Sequence, residues 1–292
     1  MSPVTFAFGL VKDALRGVVS DKVPMMGAAL AYYTALSIAP LLVILIAVAG
    51  MFFGAQGGAD VFETARALIG DDGALALRSM VEAAASRPHA GFVASILGVL
   101  TMLVGASGVF GQLQESLNVI WKVALKSDAG WGVTLRRRLL SFGMIGVIAF
   151  LLLVSLVVSA GLSAAGKLFT GVLPGGEALW QAVNELVSIT VITGLFALIF
   201  KVLPDVRLAW RDAFIGGFWT SLFFSFGKLA IGFYLGRSGV TSAYGAAGSV
   251  IVLLLWVYYS AQILLFGAEL TRAYVEERGL RAPPKAAARR LD

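Results

Sequence analysis

Cysteine is absent from the sequence, and histidine occurs once, as His89. No disulfide, thiolate metal site or cysteine nucleophile can therefore form, and neither a His-rich zinc site nor a Cys–His pair is available. No glycine loop of the phosphate-binding kind is present, which leaves the chain without an ATP-binding motif of its own. Adjacent carboxylates occur at Asp71-Asp72, which reads as a turn, and at Glu276-Glu277, which reads as solvated helix surface. Neither offers the convergent acids that metal-assisted hydrolysis needs. The expectation is a non-enzyme with no cofactor. Charge is scarce as well, at 14% of the 292 residues against about 25% in a typical soluble domain.

What the chain has in abundance is apolar surface. Hydrophobic residues make up 59%, too much for a soluble fold of this length to hide. A bilayer core about 30 Å thick takes about 20 mostly apolar helical residues. Six stretches qualify: 27–53, 91–120, 139–165, 179–203, 213–235 and 246–270. Runs such as Ile145 to Val158 do not alternate polar with apolar, which argues against a β-barrel. The expected fold class is an all-α integral membrane protein, a six-transmembrane-helix bundle with a short amphipathic helical outer loop. The expected organisation is an amphipathic cytoplasmic segment 1–23, a membrane domain 24–276 with outer loop 54–90, and a disordered basic tail 277–292.

Orientation follows from the basic residues. Seventeen of the 23 Lys and Arg fall in the N-terminal segment, the second and fourth loops and the tail, while five fall on the other side. An even number of spans then puts both termini in the cytoplasm of a bacterium, in its inner membrane. The net charge of +6 is read mainly as this topology signal, with anionic lipid headgroups as the secondary partner and nucleic acid not expected. Homo-oligomerisation stays open. The N-terminal segment has no small-residue cleavage site before its charges and does not read as a signal peptide. Its Phe6, Leu10, Ala14 and Val18 recur at helical spacing, as in a helix lying on a membrane surface. In the outer loop, Asp60 and Glu63 have capping-box spacing, and Leu75, Met80, Val81 and Ala84 mark a second short helix.

Each span carries a polar or small stripe. Thr101, Gly105, Gly108, Gln112 and Glu115 align on the second, and Tyr259, Gln262, Phe266 and Glu269 on the sixth. Tyr33, Ser37 and Pro40 share a face of the first, and serines line the third. Such stripes serve close helix packing as readily as a solvated pathway. The ionisable residues say more. Glu185 and Lys228 each fall about 10 Å below the outer ends of spans four and five, where neither charge is stable alone, so they are expected to pair or share a polar cavity. Glu115 and Glu269 fall near inner ends, within reach of Arg272, Lys122 or the hydroxyls of Tyr32 and Tyr33. The expected substrate pathway is Glu185, Lys228, Glu115, Gln112, Tyr259, Gln262, Glu269 and Tyr33. Trp256, Tyr258 and Tyr259, mid-span, serve either packing or an amphiphilic ligand.

Ala28 to Leu42 (AALAYYTALSIAPLL), Asn118 to Trp121 (NVIW), Ser242 to Gly248 (SAYGAAG), Leu255 to Gln262 (LWVYYSAQ) and Gly267 to Glu269 (GAE) together resemble the YihY/BrkB family, also called UPF0761. The resemblance covers nearly the whole chain and implies a six-span inner-membrane protein. It carries the label "ribonuclease BN-like", for which these residues offer no chemistry, and it brings no catalytic residues with it. The function expected from the residues is a transporter or permease for a small or lipid-like solute. The alternative is a non-enzymatic envelope scaffold or assembly factor that binds a partner through the outer loop.

Overall fold

The computed structural model describes residues 3–36, 108–126, 132, 176–237 and 248–291. The third span, the outer loop with its capping box, the Ser242 to Gly248 motif up to Ala247, and most of spans one and two lie outside these residues.

Six helices and two short strands account for most of the described chain. Helix α1 is Pro3–Ser20, with proline in the first helical position, where its missing N–H costs nothing. Asp21 and Lys22 form the turn to α2, Val23–Leu36. Helix α3 covers 108–120 and strand β1 Val123–Leu125. Helix α4, Gly176–Val202, stops ahead of Pro204. Helix α5, Trp210–Arg237, opens with Asp212 in its first turn, where a carboxylate complements the helix dipole. Helix α6, Gly248–Glu277, ends in a Schellman motif: Gly279 N–H donates to Glu276 O at 2.9 Å and Leu280 N–H to Val275 O at 3.2 Å, with Gly279 at φ 67°. Strand β2 is Ala288–Arg290.

Among the described residues two helices are long and apolar enough to cross a membrane, through Glu185–Val202 of α4 and Leu254–Glu277 of α6. They answer to the expected spans 179–203 and 246–270. Helix α5 answers to 213–235 in length, at 28 residues or roughly 42 Å. Lys228 and a Gly-, Ser- and Thr-rich middle dilute its hydropathy.

The chain divides into two compact units: Met1–Val23, Leu113–Gly227 and Ile263–Asp292 form one, Pro24–Gln112 and Lys228–Gln262 the other. Segment 1–23 is therefore part of a larger unit rather than a separate arm. Within the first unit α4, α5 and α6 pack through small residues. Thr220 Oγ1 donates to Gly216 O at 2.7 Å and rests its side chain on Gly267; Thr271 Oγ1 donates to Gly267 O at 2.6 Å and rests on Gly216. A Cβ at 216 or 267 would collide with the opposing threonine, so the α5–α6 backbones are as close as glycine allows. Thr193 and Ser221 hydroxyls hydrogen-bond at 2.8 Å between α4 and α5. Phe196 against Phe224 and Phe223 against Phe266, both edge-on, fill the space beyond.

The segment after Glu277, expected to be disordered, is folded. Strand β2 pairs antiparallel with β1, Val123 opposite Arg290 and Leu125 opposite Ala288. Arg207 N–H donates to Pro283 O and Lys285 N–H to Asp205 O, both at 2.8 Å. The Lys285 ammonium caps Val202 O, at the end of α4, at 2.9 Å. Its proline-, alanine- and arginine-rich composition hid this, because the partners are backbone groups far away in sequence. The all-α expectation is corrected to a mostly helical fold that carries, among the described residues, one two-stranded sheet.

Candidate functional site: a buried charged cluster at Glu269

Glu269 is fully buried, at 0% exposure, on α6. It fits there because Gly17 of α1 has no side chain: a Cβ at that position would strike the Glu269 carboxyl. Arg272, one turn on, brings Nη2 to 2.9 Å from Oε2. That contact is electrostatic rather than directional, since neither Glu269 oxygen accepts a hydrogen bond and Arg272 Nε donates none. The neighbouring carboxyl is Asp21, just past the end of α1. Its Oδ1 takes the Lys122 ammonium and the Ser20 hydroxyl, while its Oδ2 is buried without a donor.

Two acids and two cations are thus drawn from α1, the turn after α3, and α6. Three of the four carboxylate oxygens receive no N–H or hydroxyl donor, and the two carboxyls lie within hydrogen-bonding reach of each other. Buried ion-pair networks that serve only stability normally satisfy every polar atom, because an orphan acceptor costs about 1–3 kcal/mol. Lys122 is held for its task by an unusual backbone. It sits in the left-handed region at φ 53°, where glycine is the least strained residue. Lys22 occupies the equivalent place after α1, at φ 57°.

A second polar centre lies close in sequence to the first. Asn118 Nδ2 donates to Asp205 Oδ2 and Asp205 N–H donates back to Asn118 Oδ1, both at 2.8 Å and both buried. Gln114 Nε2 donates to Leu203 O at 2.9 Å, and Arg278 Nη1 to Asp212 Oδ1 at 2.8 Å. All these atoms are partnered. This centre locks the α3 end, the α4–α5 connection and the α6 end together.

The other expected pathway residues are divided between the two units. Glu185 is exposed on α4, and Lys228 is on α5 with its side chain outside the described residues; the two belong to different units. Glu115 is exposed on α3, and Gln112 is half-buried. In the second unit, Tyr33 of α2 lies over Gly108 and makes an edge contact with Tyr32 at 6.0 Å. Gln262 lies over Gly27, its Nε2 buried without a partner, and Tyr259 is half-buried. Glu269 does meet Arg272, as its spacing predicted. Asp21 was missed; its signal was an acid beside Lys22 at the end of an amphipathic helix. On α1 itself the Phe6–Leu10–Ala14–Val18 stripe faces inward at Ala14, which is fully buried. The exposed apolar residues are instead Phe8, Val11, Leu15 and Val19, flanking Lys12 and Arg16 around an open groove. Among the described residues no group of three or more His, Asp or Glu is disposed to hold a metal ion.

The family model for "Virulence factor BrkB" matches residues 14–292, which takes in α1 from Ala14, the charged cluster and the tail strand. This chain belongs to the BrkB family. Curated BrkB-like relatives carry the name UPF0761 membrane protein. One from Ralstonia nicotianae is 28% identical over 89% of this chain and 57% of its own length. One from Pseudomonas aeruginosa is 27% identical over 86% of this chain and 59% of its own. One from Tolumonas auensis is 26% identical over 88% of this chain and 82% of its own. The chain spans about 57–59% of the length of the first two relatives. No solved structure matches this BrkB chain. With its apolar helices, the chain is a membrane protein of this family.

Proposed function

We propose that this BrkB-family protein is a six-span transporter or permease of the bacterial inner membrane, with cytoplasmic termini and no chemical step of its own. Its cargo is a small or lipid-like solute, and the charged element that changes state is the Glu269–Asp21–Lys122–Arg272 cluster. The observation that carries this reading is the meeting of two carboxyls and two cations at the junction of three segments, with the Glu269 carboxyl fully buried against Asp21. Two neighbouring carboxyls, one of them buried, are suited to share, take up and release a proton as the cations shift partners. The charge count supports the topology: the N-terminal segment, the turn after α3, the α4–α5 connection and the tail are the Lys/Arg-rich segments, and they contact one another within one unit.

The test uses the full chain in proteoliposomes containing a fluorescent phosphatidylglycerol, with dithionite quenching read with and without an imposed pH gradient. Wild type should move the lipid faster under the gradient, and Glu269→Gln should lose that dependence while eluting as a folded protein. Gradient-dependent movement equal in wild type and variant would remove Glu269 from the mechanism. If wild type moved no more lipid than protein-free vesicles and carried no protons, the transport reading would fall and the envelope scaffold would take its place.

A further inference from the structure

The folded tail creates a second site, on the far side of Lys122 from the acid pair. The turn after α3, the end of α6 and strand β2 enclose a cleft of about 520 Å³ lined by Lys122, Arg281 and Arg290 against one carboxylate, Glu276. The Lys122 ammonium is engaged by Asp21. Arg281 and Arg290 have no ion-pair partner among the described residues. Their presence together is non-local: Arg281 follows the Gly279 turn, while Arg290 is brought in by its pairing with Val123.

Two features specify the ligand. Guanidinium groups offer paired N–H donors suited to a phosphate, and two of them in a cleft with a single carboxylate among the described residues fit a singly or doubly charged phosphate ester. Beside them Leu280 and Leu291 stand 47% and 44% exposed, an apolar rim to a cationic cleft. The membrane-crossing stretch of α6 ends at Glu277, so Arg281, four residues on, falls at the depth of lipid phosphates. A soluble phosphate would gain nothing from the leucines; a phospholipid would cover them.

We propose that this cleft binds the phosphate of an anionic phospholipid headgroup, through Arg281 and Arg290, with Leu280 and Leu291 against its glycerol and upper acyl region. The assignment stands whether or not the protein transports anything. It is tested with the full chain in nanodiscs of phosphatidylcholine containing phosphatidylglycerol, counting retained lipids by native mass spectrometry, beside a thermal-shift titration with inorganic phosphate. Arg281→Gln/Arg290→Gln should weaken phosphatidylglycerol retention by about 30-fold, from roughly 1 kcal/mol per cation near an anionic surface. Arg289→Gln, next in sequence but outside the cleft, should leave it unchanged. Should the double variant fail to fold, Leu280→Ser/Leu291→Ser in its place should weaken lipid retention and leave any phosphate effect unaltered. Undiminished retention in the folded double variant would overturn the site. Saturable stabilisation by inorganic phosphate that competes with the lipid, with no effect of the leucine changes, would reassign the cleft to a soluble phosphate and overturn the lipid reading.

Discussion

Two faces of the same turns of α6 behave in opposite ways. Gly267 and Thr271, four apart, form one face; Glu269 and Arg272, three apart, form another. On the first face every polar atom is used locally: each threonine hydroxyl bonds the carbonyl four residues back, and its side chain fills the notch left by a glycine on the opposite helix. On the second, formal charges balance but hydrogen bonds do not. Both faces rely on a missing Cβ, at Gly216 and Gly267 in one case and Gly17 in the other. Glycine therefore marks close approach without revealing its purpose, and the orphaned atoms make the distinction. One face holds the helices together, and the other gathers buried charges whose polar atoms are not all matched.

The comparison can be broken most forcefully at Gly267. Gly267→Leu should prevent assembly of α5 against α6, seen as loss of the monodisperse peak in detergent. The smaller Gly267→Ala should cost about 1–3 kcal/mol by overpacking, and Thr220→Ala in the same chain should recover part of the loss in unfolding midpoint. Asn118→Ala should come next. It strips the buried Asp205 of two partners at a cost of about 1–3 kcal/mol, measured by the same unfolding assay. Glu269→Gln should remove gradient-dependent transport while the protein still elutes as a folded, monodisperse species. A large destabilisation there would make the second face structural like the first. Smallest of all, Arg16→Ala should leave the midpoint where it is, since the Arg16–Asp13 pair at 3.2 Å is solvent-exposed.

Legibility in the sequence followed the range of the interactions. Helices α4, α5 and α6 were announced by apolar runs, and their ends were missed by a few residues where apolarity and helicity part company. The expected sixth span stopped at Leu270, whereas α6 continues to Glu277 through charged residues that hydropathy rejects and helix propensity accepts. Arg272 was foreseen among the partners of Glu269, beside Lys122 and the Tyr32 and Tyr33 hydroxyls, from its place near the inner end of the sixth span. Lys122 was foreseen near the same end from the charge count. Asp21 was not, because its contact with Lys122 crosses 101 positions and leaves no periodic trace. The buried side of α1 was not legible for a related reason: Gly17 is small because Glu269 of α6 lies against it, and apolar spacing alone assigns the larger neighbouring residues no side. The Glu185–Lys228 pairing lies outside the described residues at the Lys228 side chain.

The pairing of β1 with β2 has a consequence for biogenesis. Lys126 donates its backbone N–H to Ala287 O and its ammonium to Ala286 O, so its hydrogen-bonding partners are synthesised about 160 positions later. Until residues 283–291 arrive, the turn after α3 and the connection between α4 and α5 must wait in water with their N–H and carbonyl groups open. The sheet is therefore a late clasp, able to close only once the residues that follow α6 have been made. A ribosome stalled within the tail would leave helices already inserted but their ends untied, a form that a membrane quality-control protease could recognise by its bare strand edge.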